Sequence, residues 1–245
     1  MEAEVKRRKR RVVLVALAAC LVVAGIGGTL AWFSAQSQLT NTFTVGKITD
    51  PTTKPGTEEA IPDSEKPDKL NGNLYEPSWV KDSKIGPGAN VAKDPYVGIG
   101  KDSEPAYVYV YVKSNLPEGA YFTIESGWEA VDAKMVQGTT DQYTGGLFAY
   151  ASNYNQGAGL TKLEPTGNPA KDAWTTTPLF RHIKAGKDYV TTDIENVSNP
   201  KNGIVVSAYV AAESKTGDSL ADLDAAAKAW AAERAGDPTT TTPAA

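Results

Sequence analysis

Cysteine and histidine are almost missing from this 245-residue chain. Cys20 is the sole cysteine and His182 the sole histidine, and methionine occurs only twice. A single thiol cannot form a disulfide within the chain, and it cannot supply a zinc site built on several thiolates. A zinc peptidase of the usual kind needs two histidines one helical turn apart around a glutamate, which one histidine cannot provide. No Gly-x-Ser-x-Gly elbow presents a serine to His182, so a Ser-His-Asp triad has no framework. His182 sits in Phe180-Arg181-His182-Ile183-Lys184 and reads as a surface or strand-edge residue. No Gly-rich phosphate loop is present either; Gly145-Gly146 and Gly157-Ala158-Gly159 read as turns. The acids Glu213 and Asp218 lack the alternating oxygen-ligand spacing of a calcium loop. The scattered acids single out no glycosidase-type pair. The chain is read as a non-enzyme, without cofactor or metal.

Positive charge is scarce beyond the N-terminus. The chain carries 25 basic and 29 acidic residues, and the first 31 positions hold six of the former and two of the latter. The remaining 214 residues therefore carry 19 basic and 27 acidic groups, a formal charge of −8. That balance excludes nucleic acid as a natural partner, because phosphate neutralisation needs clustered Lys and Arg. It suits a secreted protein that resists indiscriminate association. With about 200 residues, hydrophobic burial alone can support one domain.

Long hydrophobic runs are limited to one, and it is the most informative feature. Lys6, Arg7, Arg8, Lys9, Arg10 and Arg11 precede an uncharged apolar stretch that ends in Gly27-Gly28-Thr29-Leu30-Ala31-Trp32-Phe33. The cations hold the N-terminus in the cytoplasm while the apolar run enters the membrane. Thr29 and Ala31 are small residues at the positions a signal peptidase reads, placing the cut between Ala31 and Trp32. Two other fates compete. Leu17-Ala18-Ala19-Cys20 fits a lipobox with Cys20 acylated, although the following residues stay apolar rather than becoming a polar tether. Val12 to Phe33 is also long enough to remain as an uncleaved membrane anchor. All three export the rest of the chain.

After the leader comes a polar spacer and then the strand-like Thr40-Asn41-Thr42-Phe43-Thr44-Val45-Gly46-Lys47-Ile48. Together with Gly-Gly-Thr-Leu-Ala-Trp-Phe before it, this window resembles the start of the TasA/camelysin family of exported bacterial proteins. A second stretch, Pro87-Gly88, Lys93-Asp94-Pro95 and Ala106-Tyr107-Val108, extends the resemblance. Gly98-Ile99-Gly100 and Tyr109 stand where members often carry an Asn-x-Gly turn and an arginine, so the chain resembles a divergent member. The resemblance implies a leader cut by a SipW-type signal peptidase, a jelly-roll-like sandwich, and a place in the cell surface or biofilm matrix. It also implies fibres built when one molecule donates a strand to the next. Trp32, Phe33, Thr40, Phe43 and Val45 are the candidate assembly residues, because an extended segment with good strand formers can pair with an open sheet edge. Residues 39–48 can equally be the first strand of their own domain. The camelysin branch carries a metallopeptidase label, but no residues here match such a zinc site.

The rest of the chain reads as all-β. Residues 49–73 carry Pro51, Pro55, Pro62 and Pro67 among Asp, Glu, Lys and Thr, and read as a solvated loop without regular structure. A Gly86-Pro87-Gly88 turn leads to a strand at 89–93. In Ala106 to Val112 the tyrosines at 107, 109 and 111 alternate with the valines at 108, 110 and 112. Further strands are expected at Tyr121–Glu125, with Trp128–Val131 paired to it, at Leu147–Ala151, and at Ile204–Ala212 after an Asn202-Gly203 turn. Ser219 and Asp222 form a capping pair for a helix whose Leu220, Leu223, Ala227 and Trp230 share one side. That helix is expected to cover a sheet edge or end.

The resulting layout is a signal peptide at 1–31, a domain at 32–235 and a disordered Thr/Pro tail at 236–245. The domain is an all-β, two-sheet sandwich, jelly-roll-like, with a C-terminal amphipathic helix. The leading functional expectation is a secreted structural protein of the bacterial surface or matrix. Its partners would be the signal peptidase during export and further copies of itself, with membrane contact only through the leader. The alternative is a surface module that binds carbohydrate or protein through a Tyr- and Asn-rich loop from Tyr143 to Tyr154, with Tyr150 and Tyr154 as contacts. A camelysin-like peptidase is the third reading.

Overall fold

Long strands form where alternation is strict. The computed structural model describes residues 47–80, 83, 85–114, 119–168, 170–172, 176–186, 204–213 and 219–236. Its elements are α1 (Lys66–Lys69), β1 (Leu70–Asn71), β2 (Leu74–Tyr75), β3 (Asn90–Ala92), β4 (Tyr96–Val97), β5 (Ala106–Ser114), β6 (Ala120–Tyr121), β7 (Trp128–Met135), β8 (Tyr143–Asn155), β9 (Ala158–Leu160), β10 (His182–Ala185), β11 (Ile204–Ala212) and α2 (Leu220–Gly236). The main sheet runs β11-β5-β8-β7, with β9 paired to the far end of β8, and its pairings are antiparallel. Facing it are short strands in two groups, β3-β10-β6 and β1-β2-β4. The chain is an all-β sandwich with a C-terminal helix.

The two-residue period of β5 decides both faces of the main sheet. Val108, Val110 and Val112 join Phe148, Val206, Ala208 and Val210 in the core between the layers, against Val97, Phe122, Phe180 and Ile183. Tyr109 points the other way, with Leu147, Ala149, Tyr209 and Ala211, and α2 lies over that face through Leu223, Ala227, Trp230 and Ala231. β8 is thus buried on both sides, which explains its continuous run Leu147-Phe148-Ala149-Tyr150-Ala151. The helix covers a face of the sheet, not an edge or end, and Leu220 is exposed rather than part of its buried stripe.

Ser219 and Asp222 cap α2 reciprocally: the Ser219 N–H donates to the Asp222 carboxylate at 3.1 Å, and the Asp222 N–H donates to Ser219 Oγ at 3.2 Å.

Several local expectations are corrected. Residues 49–73 are not a featureless solvated loop. They contain α1 and β1, Pro67 sits in the first turn of α1 where no donor is needed, and Ile61 packs beneath Tyr75. β7 pairs with β8, whereas β6 pairs with β10. Gly145 and Gly146 lie inside β8 instead of forming a turn. A Cβ on Gly146 would stand 2.3 Å from the Asp132 carbonyl, and its φ of 114° lies where L-residues are strained, so the close approach of β7 requires glycine there. The expectations for Asn202-Gly203 and for the tail beyond residue 236 lie outside the described residues.

Candidate functional site

Ala31, Trp32, Phe33, Thr40, Phe43 and Val45 lie outside the described residues. Where the described chain begins, its backbone is firmly held. The Lys47 carbonyl accepts the Glu104 N–H at 2.7 Å, and the Thr49 carbonyl accepts the Gly100 N–H at 2.8 Å. Thr49 N–H donates to Ser103 Oγ at 3.0 Å, Asn73 Nδ2 donates to the Thr49 carbonyl at 3.1 Å, and Ile48 packs against the inter-layer core. A little further on, buried Asp172 accepts the N–H groups of Thr52, Thr53 and Lys101. Glu104 precedes Pro105, whose carbonyl accepts the Glu213 N–H at 2.7 Å, one residue past the end of β11. The described chain therefore begins at the end of the main sheet where β5 starts and β11 stops.

The two edges of the main sheet differ in chemistry. β7 carries Glu129, Asp132 and Lys134, and its register slips twice, between Ala130 and Asp132 and between Lys134 and Met135. Charges and bulges of this kind blunt an edge against further pairing. β11 has neither. Its sequence, Ile-Val-Val-Ser-Ala-Tyr-Val-Ala-Ala, is uncharged, and it holds nine successive residue pairs with β5 without a slip. Among the described residues no strand pairs with its other side. Alternate N–H and C=O groups of an extended strand point to each side, so half of those of β11 face away from β5.

Beneath α2 is a buried polar hub. Asp224, 4 % exposed, accepts the Tyr109 hydroxyl at 3.0 Å, the Tyr154 hydroxyl, and Lys228 Nζ at 2.7 Å. Burial and the adjacent Asp224 charge raise the phenol pKa of Tyr109, and they push that of Tyr154 up to about 12. The hydrogen bond to Asp224 raises that of Lys228. The hub ties the helix to β5 and β8. On the other layer Lys93 pairs with Glu76 at 2.7 Å, both buried, and its ammonium lies 4.3 Å from the centre of the Trp79 ring. Neither cluster was expected. Asp224 was detectable as an acid on the buried stripe of α2, next to Leu223 and one turn before Lys228. Glu76 and Lys93 are far apart in sequence and carry no such signal.

Other expected contacts are corrected. The stretch from Tyr143 to Tyr154 is strand β8, not a recognition loop. Tyr150 is buried against Trp128, with ring centres 5.2 Å apart, and the Tyr154 hydroxyl is bound to Asp224. His182 lies partly buried in β10, opposite Ala92. Glu213 pairs with Lys162 at 3.2 Å, and Asp218 lies outside the described residues. Among the described residues no group of three or more His, Cys, Asp or Glu side chains could hold a metal ion, and no helix is long and apolar enough to cross a membrane.

Comparison with known proteins adds no identity: no family model, curated protein or solved structure matches the chain.

Proposed function

We propose that this chain is an exported structural protein of the bacterial cell surface or biofilm matrix. In this reading the leader ends at Ala31, and the segment from Trp32 to Val45 completes β-structure at a sheet edge, its own or that of the next copy. The observation that carries the proposal is the contrast between edges: β11 is long, regular and uncharged, while β7 is charged and bulged. The held backbone at Lys47–Thr49 supports it, since Lys47, two residues after Val45, lies at the end of the main sheet where β11 stops. Strand addition supplies affinity through backbone hydrogen bonds and register through alternate side chains such as Phe43 and Val45. Repeated head to tail, such a contact need not close, and an open series gives a filament. The proposal assigns no reaction to the chain.

The test is expression of the full chain in a bacterium that carries a SipW-type peptidase, followed by N-terminal sequencing and electron microscopy. The expected product begins at Trp32 and forms fibres, and Phe43→Asp abolishes them while leaving the product soluble and folded. A product acylated at Cys20 or one that retains the leader refutes the proposal, and one that begins at Trp32 yet stays monomeric refutes strand donation to the next copy.

A further inference from the structure

Where β8 carries Gly145 and Gly146, the central strand places no side chain between β5 and β7. A cleft of about 600 Å³ opens there, lined among the described residues by the ends of β5 and β7 and by Ala235 of α2. Its volume far exceeds that of a lone anion and falls in the range of small-molecule sites, about 300–1,000 Å³. Lys113 lines it on the β5 side and Lys134 on the β7 side. Two strand spacings separate their backbones, about 10 Å, which two lysine stems can span to meet over the glycines. Lys113 Nζ lies 3.5 Å from the Arg234 carbonyl and is steadied there, while Lys134 is exposed.

Tyr111, whose ring packs edge to face with Trp230 at 6.5 Å, gives the cleft an aromatic wall and Met135, 42 % exposed, an apolar contact; Gln137 supplies hydrogen-bonding groups. An aromatic surface, neutral hydrogen-bonding groups and two cations together match a sugar that bears a carboxylate. In such a complex the apolar face of the sugar would pack on Tyr111, its hydroxyls would bind Gln137, and its carboxylate would sit between the lysines.

We propose that this cleft binds a uronic-acid oligosaccharide, about two sugar units filling it. Such a site would fix an acidic matrix polysaccharide to the protein whether or not the protein forms fibres.

The experiment is calorimetric titration of the full chain, purified in mild detergent, with trigalacturonate and with its methyl ester. Amide chemical-shift mapping runs alongside. The acid is expected to bind, the ester about tenfold more weakly, and Lys134→Gln to weaken the acid about tenfold with unchanged circular dichroism, as for one lost charge-assisted hydrogen bond. Shift changes should fall on residues 111–114 and 134–137. Absence of binding, equal binding of acid and ester, unchanged binding by the Lys134→Gln protein, or shift changes elsewhere would each overturn the proposal. Fibre formation is not a readout here, so failure of this inference is distinct from failure of the assembly reading.

Discussion

Replacing Asp224 with alanine should loosen the helix from the sheet, and the structure sets the size of the effect. Three donors converge on this carboxylate, and they differ in what they lose. Lys228 is 43 % exposed and returns to water, so its loss is worth about 0.5 kcal/mol. Tyr154 is half-buried and can rehydrate. Tyr109 is fully buried, and an orphaned buried hydroxyl costs about 1–3 kcal/mol. Removing one member of a buried charged cluster costs about 3–5 kcal/mol, and relief from carboxylate desolvation pulls toward the lower end. We expect a loss of about 3 kcal/mol, a fall in Tm of about 6–12 °C for a domain of this size. Urea denaturation of Asp224→Ala, Tyr109→Phe and the double variant measures it. Because Tyr109→Phe removes the orphan, the double variant should be more stable than additivity requires by about 1–2 kcal/mol. Strict additivity, or a loss below about 0.5 kcal/mol in Asp224→Ala, would refute the assignment of Asp224 as the clamp.

Gly146→Ala should cost about 3–5 kcal/mol or prevent folding, since its Cβ meets two backbone atoms of β7 at an unfavourable φ; Gly138→Ala, with open space around it, should cost only about 1–2 kcal/mol, and thermal melts compare them. Glu76→Ala strands the buried Lys93 ammonium and should destabilise by about 3–5 kcal/mol, whereas replacing both partners with methionine should be close to neutral in urea titrations. Burial raises the Asp94 carboxyl pKa above its ordinary 3.8, against the Ser78 hydrogen bonds that lower it. The folded state therefore holds that proton more tightly than the unfolded one, and the carboxyl's contribution to stability falls as pH rises from 3.8 through the raised value. Asp94→Asn should gain on the parent protein across that window and hold a constant difference above it; a difference that shrinks with rising pH contradicts this.

The parts legible in the sequence were those whose signal is local. The Tyr/Val alternation of β5, the matching alternation of β11 and the Ser219–Asp222 cap all mark their elements because the relevant neighbours lie within four residues. The second layer was mostly illegible: β1, β2, β4 and β6 are two residues each, too short to show a period. The candidate assembly residues, from Trp32 to Val45, lie outside the described residues, and the unpaired side of β11 is visible only from strand pairing among the described residues.

By itself, then, the sequence determined the all-β class, two of the long strands and the capped helix, through composition and short-range periodicity. Tertiary structure alone decided which face the helix covers, that Gly145 and Gly146 run inside a strand, and that Asp172 and Asp224 are buried clasps. Those outcomes depend on contacts between residues up to about 120 positions apart, and no local pattern encodes which distant donors a carboxylate will meet.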